Sequence, residues 1–566
     1  MAEMDKWGFS APEVSLVGMT KSSGFSFARP ARLGAWFRDP LVLLALTAGL
    51  ATFVVQSGEL GSADTMHRLQ TAHSFWTSEP PVFPQEYPEF GVHGRGGKLF
   101  DWYGVGQPLL MLPADIIGTY VERSPVFADY NGNDPSVRNI VVSYSTNIFV
   151  SVLTALVCFR FLLLLSFSSR QAVAGVLALL FCTTHLHYTQ NMMENNYILL
   201  LTLAGFAFQY DWLRTGKRRA LLIGSGALGI NLLTRLTTGL DLLAAAFFLF
   251  LVLWFEGGRG RALWQRFIAY GRTALPVYAV FLVIDRLYQY YRFGSFFNTY
   301  VHYFTVEHRL QDPSLPSSYP FETPFHVGFL GALLAPEKSI FLFDPLVVLT
   351  IVIAALGWRR FRPEIKAYVI AAALLLLAYI CFYATYTVWS GDFAWGDRYV
   401  STAAEIVAFI SVPLLLRYRG ELGKFVWTIG MALIAFSAAI QLASLAFWLP
   451  LEIYQMETLG HPTFVIALRF KNIVAFALGK MDAWGLNNYA MAQDPWDYVH
   501  ITTWNFLPFV LRRVGEAPGW VVEICFLVWI AASASLGWTL SQLRWVLGAS
   551  EPNTAESRAA SELRRA

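Results

Sequence analysis

The sequence predicts an all-α fold, a polytopic transmembrane helical bundle of about twelve spans with extracytoplasmic loops that carry juxtamembrane helices. Three observations predict it. Of 566 residues, 55% are hydrophobic and only 14% charged, more apolar than a soluble domain tolerates. Apolar runs of roughly 17–25 residues, each long enough to cross a bilayer as a helix, recur almost from end to end. The lysines and arginines fall in short clusters between those runs, so the net charge of +3 bears on orientation and not on nucleic acid.

Taken in order, residues 1–39 form a polar cytoplasmic segment with Lys6, Lys21, Arg29, Arg32 and Arg38, too long and plain for a signal peptide, so the first helix is retained. The spans fall near residues 40–57, 140–165, 171–190, 193–213, 219–237, 240–255, 268–290, 338–357, 367–389, 398–416, 424–448 and 520–543. They make a transmembrane core over 40–448 and one last helix over 520–543, before a cytoplasmic tail at 544–566. With the amino terminus inside, "RTGKRR" (214–219), "GGRGR" (257–261), "WRRFRPEIK" (358–366) and "RYRGELGK" (417–424) all lie inside, as the positive-inside rule asks. The loops 58–139, 291–337, 390–397 and 449–519 then lie outside the cytoplasmic membrane, and the polar chemistry is one-sided.

Glu405, inside the tenth expected span, is the main exception, and a packed, hydrogen-bonded or protonated structural role outranks a proton relay for it. Cys158, Cys182, Cys381 and Cys525 lie in or beside apolar stretches with no metal-binding or disulfide spacing. No internal repeat of the transporter kind is visible.

After the first span, "SGELGSADTMHRLQTAHSFW" places Asp64 at the start of a short helix with Met66, Leu69, Ala72 and Phe75 on one face. Aspartate is a favoured N-cap, and on position alone that role and a functional one weigh equally. Farther on, "HGRGGKLFDWYGVGQPLLMLPADIIGTYV" joins Arg95, Lys98, Asp101 and Tyr103 to a glycine-rich turn and an apolar helix begun near Pro108. Glycines let backbone approach a ligand, and cations hold an anionic group, although a turn with solvated charges reads as well. The turn "HLHYTQNMMENN" (185–196) offers two histidines and Glu194, for which an ordinary polar turn outranks a metal site.

Several patterns now occur in one order. They are the acidic residue of the first external loop, Asp64, and the stretch from Gly97 to Pro113. Arg235 follows in "LLTRLTTGL", then "GFLGALLAPEKSIFLFDPLVVL" (328–349) and "WSGDFAWGDRYV". In this order the chain resembles the GT-C superfamily of polytopic membrane glycosyltransferases, in particular bacterial relatives of the dolichyl-phosphate-mannose protein mannosyltransferase and aminoarabinose-transferase type. The resemblance covers roughly residues 40–416. It departs from the family pattern at Asp392, at Asp397 and in Ala335-Pro336-Glu337, which add acidic groups near the expected phosphate site.

The resemblance implies a glycosyltransferase that moves a sugar, with inversion, from a polyprenyl-phosphate carrier to an acceptor hydroxyl on the extracytoplasmic face. Asp64 is then the catalytic base, with Asp101 orienting the acceptor or holding the base. Arg235 and Arg398, with Lys98 and Lys338, bind the donor phosphate, which arginine can grip bidentately. Trp102, Tyr103, Trp395 and Tyr399 offer ring faces to sugars, against the competing reading of an interfacial aromatic belt. No nucleotide cofactor is expected and a metal requirement stays open. The partners are the lipid-linked sugar, a glycan, lipid or protein acceptor, and membrane lipids, with no nucleic acid. A lipid-linked glycan transporter and a non-catalytic membrane subunit are the alternatives. For 449–519, acceptor recognition, a lid and a packing element stay open.

Overall fold

Asp39 and Pro40 open the first helix: the aspartate side chain accepts the Leu41 N–H at 2.9 Å, and proline stands where a missing N–H costs nothing. The structure, a computed structural model, describes residues 39–84, 90–130, 134–391, 394–448, 450–459, 464–487, 502–515 and 517–548. The expected segment 1–38, Asp392 and the tail beyond 548 lie outside the described residues, as does much of the 449–519 loop.

The helices run α1 (Pro40–Val55), α2 (Ala63–Ser74), α3 (Gly106–Glu122), α4 (Val137–Leu164), α5 (Ser169–Cys182), α6 (His185–Gln190), α7 (Asn195–Thr215) and α8 (Arg218–Thr234). They continue as α9 (Gly239–Phe255), α10 (Gly260–Phe293), α11 (Tyr300–Gln311), α12 (Phe325–Leu334), α13 (Ile340–Phe343), α14 (Leu346–Gly357) and α15 (Pro363–Tyr383). The rest are α16 (Ser401–Ala408), α17 (Ser411–Arg417), α18 (Arg419–Ser444), α19 (Pro450–Leu459), α20 (Val465–Ala477), α21 (Leu507–Arg513) and α22 (Gly519–Gly548). Among the described residues the one sheet is a hairpin of β1 (Val92–His93) and β2 (Leu99–Phe100), antiparallel with Val92 opposite Phe100.

The fold is therefore the helical one expected, and every expected span meets a helix. Among the described residues, six helical segments are both long and apolar enough to cross a membrane: Val137–Leu164, Leu236–Phe255, Gly260–Phe293, Pro363–Tyr383, Arg419–Ser444 and Gly519–Gly548. The core they enclose is aromatic. Phe161 meets Tyr368 edge-on at 5.4 Å, Phe248 stacks on Phe206 at 5.6 Å, and Tyr368 meets Phe409 edge-on at 5.6 Å.

Three expected spans are interrupted. The one at 171–190 breaks at Thr183 and Thr184 between α5 and α6, with Thr183 extended. The one at 338–357 breaks at Asp344 and Pro345, and the one at 398–416 breaks between α16 and α17. Proline accounts for two of these: Pro345 stands in the second break, and in the third Pro413 withdraws an N–H and crowds the carbonyl of Phe409 four residues back.

The basic loops gather at one end of the bundle. Arg214 pairs with Glu256 at 2.6 Å and Arg360 with Glu421 at 3.2 Å, while Arg417 donates to the Ser166 carbonyl at 3.3 Å.

Candidate functional site

The helix bearing Asp64 begins two residues earlier than an aspartate cap would require. Ser62 is the N-cap: its Oγ accepts the Thr65 N–H at 3.2 Å, which leaves the Asp64 carboxylate free of capping. The competing structural role for Asp64 is thereby removed. Leu69 and Ala72 are buried as expected, whereas Met66 and Phe75 are exposed.

Two anchors hold α2. Thr65 Oγ1 donates to the Met192 carbonyl in the turn before Glu194. At the other end, Asp115 of α3 accepts from His73 at 3.0 Å, Trp76 Nε1 at 2.8 Å and Arg138 Nε at 2.5 Å, tying α2, α3 and α4 together.

So held, Asp64 meets Arg398: Nη1 donates to Oδ2 at 2.6 Å, with the two side chains 21% and 15% exposed. Gly391, at φ +75°, allows this, since a Cβ there would lie 2.5 Å from Arg398 Cγ. One helical turn after Asp64, on the same face, Arg68 reaches Glu194 at 2.7 Å. Arg235, just past the end of α8, donates to the other oxygen of Glu194. The Tyr399 ring gathers the two expected arginines, with the Arg235 and Arg398 guanidinium carbons 5.3 and 5.1 Å from its centroid. Tyr383 stacks on Tyr399 at 4.5 Å. Arg68 lies over the Tyr103 ring at 3.8 Å, and Tyr103 hydrogen-bonds Asp64.

The structure thus brings Asp64, Arg235, Arg398, Tyr103 and Tyr399 into one cluster, together with Arg68 and Glu194. Three guanidinium groups face two carboxylates, which leaves one positive charge in surplus. Burial alone would raise the Asp64 carboxyl, but Arg398, Arg68 and Tyr103 outweigh it and hold it below the usual carboxylate range. Glu194 is paired on both oxygens, by Arg68 and Arg235. Both are carboxylates at neutral pH.

The remaining expected residues fall elsewhere. Asp101 is buried and closed off: Thr71 donates to it at 2.8 Å and Arg292 at 3.1 Å, while Arg292 also donates to the Asp101 and Tyr103 carbonyls at 2.7 and 3.0 Å. Burial raises its carboxyl against the pull of Arg292 and Thr71. Asp101 positions the Tyr103 backbone and offers no face to a substrate.

Trp395 is completely buried between Phe343 and His187, at 5.1 and 5.7 Å, so its ring is a packing element. Lys338 is buried, with Nζ donating to the Ala394 and Gly396 carbonyls at 3.0 and 3.4 Å; it braces the loop that leads to Arg398. Lys98 is exposed on the β1–β2 hairpin. Trp102 is half-buried and packs edge-on against Phe304 at 5.3 Å.

The glycines of the first loop also differ from expectation. A Cβ at Gly104 would lie 2.2 Å from the Leu233 carbonyl and one at Gly106 2.2 Å from Thr234 Oγ1. They admit the end of α8, and with it Arg235, rather than a ligand. Glu194 is no metal ligand here, since two arginines hold its oxygens; among the described residues no group of three or more His, Cys, Asp or Glu forms a metal cluster.

No family model matches the sequence, and no curated protein matches it. Among solved structures, the chain is similar to the Archaeoglobus fulgidus oligosaccharyltransferase, solved with a tethered acceptor peptide containing the NVT sequon. That likeness has 13% identity and a TM-score of 0.44, and it covers 71% of this chain and 55% of that one. The chain therefore spans little more than half the length of that transferase.

Proposed function

We propose that the protein is an inverting glycosyltransferase that moves a sugar from a polyprenyl-phosphate-linked donor to an acceptor hydroxyl on the extracytoplasmic face. The observation that carries this reading is the Asp64–Arg398 contact at 2.6 Å inside a cluster with surplus positive charge. The ordered motifs support it, and so does the gathering of basic loops at one end, which the positive-inside rule assigns to the cytoplasm.

The pairing gives Asp64 two states. While bound to Arg398 it is a weak base. An arriving phosphate competes for the same guanidinium, and once Arg398 turns to it the carboxylate loses its strongest partner and gains basicity. Asp64 then takes the proton of the acceptor hydroxyl as that oxygen bonds to the anomeric carbon. The bond from that carbon to the phosphate oxygen breaks, and its electron pair leaves with the polyprenyl phosphate, held by Arg398 and Arg235. One displacement inverts the anomeric centre.

The test is Asp64→Asn in reconstituted vesicles supplied with a polyprenyl-phosphate sugar. Transfer should fall by about 10²–10⁴-fold, the usual loss on removing a general base, with donor binding retained. Undiminished turnover would sink the assignment. The interrupted helices favour a second reading, a lipid-linked glycan transporter. Passage of a labelled lipid-linked sugar across a sealed bilayer without any product would select it.

A further inference from the structure

Away from the arginine cluster, two carboxyl groups meet on one hydroxyl. Asp344 and Glu405 are 1% and 0% exposed, and Thr184 Oγ1 lies 2.9 Å from Asp344 Oδ2 and 2.8 Å from Glu405 Oε1. A threonine hydroxyl carries one proton and can donate to one of these oxygens only. The other contact closes only if its carboxyl group brings a proton of its own. Were both ionised, lone pairs would face each other at hydrogen-bond distance, and two like charges would be buried together.

Among the described residues no cation offsets such a pair, since neither lysine nor arginine is among the groups acting on Asp344 or Glu405. On α6, Tyr188 feels the Glu405 charge, but its hydroxyl donates to the Trp395 carbonyl at 3.2 Å. His185, beside Thr184, is buried and is not among the groups acting on either carboxyl. From α14 and α15, Thr350 and Tyr368 donate to the Val407 and Ile406 carbonyls at 2.9 and 2.6 Å and so leave Glu405 alone. From α7, Asn195 is taken up by the Arg398 carbonyl and Ser401, at 2.7 and 2.8 Å.

The two carboxyls are not equivalent. Asp344 also accepts the Thr184 backbone N–H at 2.8 Å and stands just before the N-terminus of α14, where the helix dipole favours an anion. Glu405 has neither support, and its second oxygen, Oε2, is buried with no partner among the described residues. We propose that Glu405 holds a proton and donates it in a hydrogen bond to Thr184, which donates in turn to an ionised Asp344, so that the three form a proton-binding site. The site joins three segments. Thr184 opens the stretch that ends in Glu194, Asp344 follows the loop of Lys338, and Glu405 lies in the helix that follows Arg398. Its proton therefore fixes the segments that carry the arginine cluster, whatever reaction that cluster performs.

The test is infrared spectroscopy of the full chain in vesicles in D2O at neutral pH, read in the stretching region of the protonated carboxyl C=O. Besides the band of any protonated Asp397, a band is expected in the wild type that shifts with ¹³C-glutamate labelling and not with ¹³C-aspartate. It should vanish in Glu405→Gln, whose amide can still donate to Thr184, with an unchanged thermal midpoint, and persist in Asp344→Asn. The labelling arm needs no variant to fold. Absence of the band, its shift with labelled aspartate, or its survival in Glu405→Gln would each overturn the proposal.

Discussion

Two arginine–carboxylate pairs of this molecule differ in what surrounds them. Arg469 of α20 and Glu452 of α19 are fully buried: the guanidinium donates to both carboxylate oxygens at 2.7 and 2.5 Å and to the Ser444 and Phe447 carbonyls at 3.0 and 2.8 Å. Asn472 adds a further donor to Glu452 at 2.8 Å. Arg398 and Asp64 are partly exposed, share one contact, and sit where cations outnumber carboxylates. The first pair is saturated and the second can still accept an anion. The two pairs differ in whether their geometry leaves bonding capacity over.

That contrast can be broken by mutation. Arg469→Ala leaves Glu452 buried and unpaired, and should lower unfolding free energy by about 3–5 kcal/mol in a denaturant titration in detergent. A loss no larger than that of Arg398→Ala would erase the distinction between the pairs. Asp397 tests the surplus charge. Burial raises its carboxyl to about 7, against Lys338 and the Tyr399 and Val400 N–H groups, so the folded chain keeps a proton there that the unfolded chain releases near 3.8. Its contribution to stability is full below 3.8 and is lost as pH rises through about 7; Asp397→Asn should flatten that slope in thermal melts at pH 4–8.

For the open pair, Arg398→Ala should weaken donor binding by roughly 1.5–3 kcal/mol, the worth of a hydrogen bond to a charged group, while the melting temperature moves little. A variant that loses fold and binding together would make Arg398 a structural residue like Arg469. The smallest change is Ser62→Ala. Losing the cap of the helix that carries Asp64 should cost about 1 kcal/mol, read from thermal melts.

Much of this was legible in the sequence. Apolar runs gave the helices because a bilayer demands internal hydrogen bonding over a fixed length. Asp64, Arg235 and Arg398 were legible through ordered motifs. Arg68 could have been found as well, four residues after Asp64 on the same helical face. Glu194 stands out only as one residue of a polar turn; its arginine partners come from α2 and from the end of α8, and nothing local announces them. Trp395 and Lys338 differ for a similar reason: position along the chain places them at a surface, and three-dimensional packing buries them. The interruptions at Thr183 and Asp344 carry their own signals, a polar stretch that opens at Thr183 and an Asp-Pro pair inside an apolar run.

Asp64 and Arg398 are 334 residues apart along the chain. During synthesis Asp64 enters the membrane early and remains without its cation while most of the bundle is still being made. A chain that stops short of Arg398 lacks the guanidinium that Asp64 meets. Assembly of the cluster is therefore a late event, and it reports whether every intervening helix has found its place.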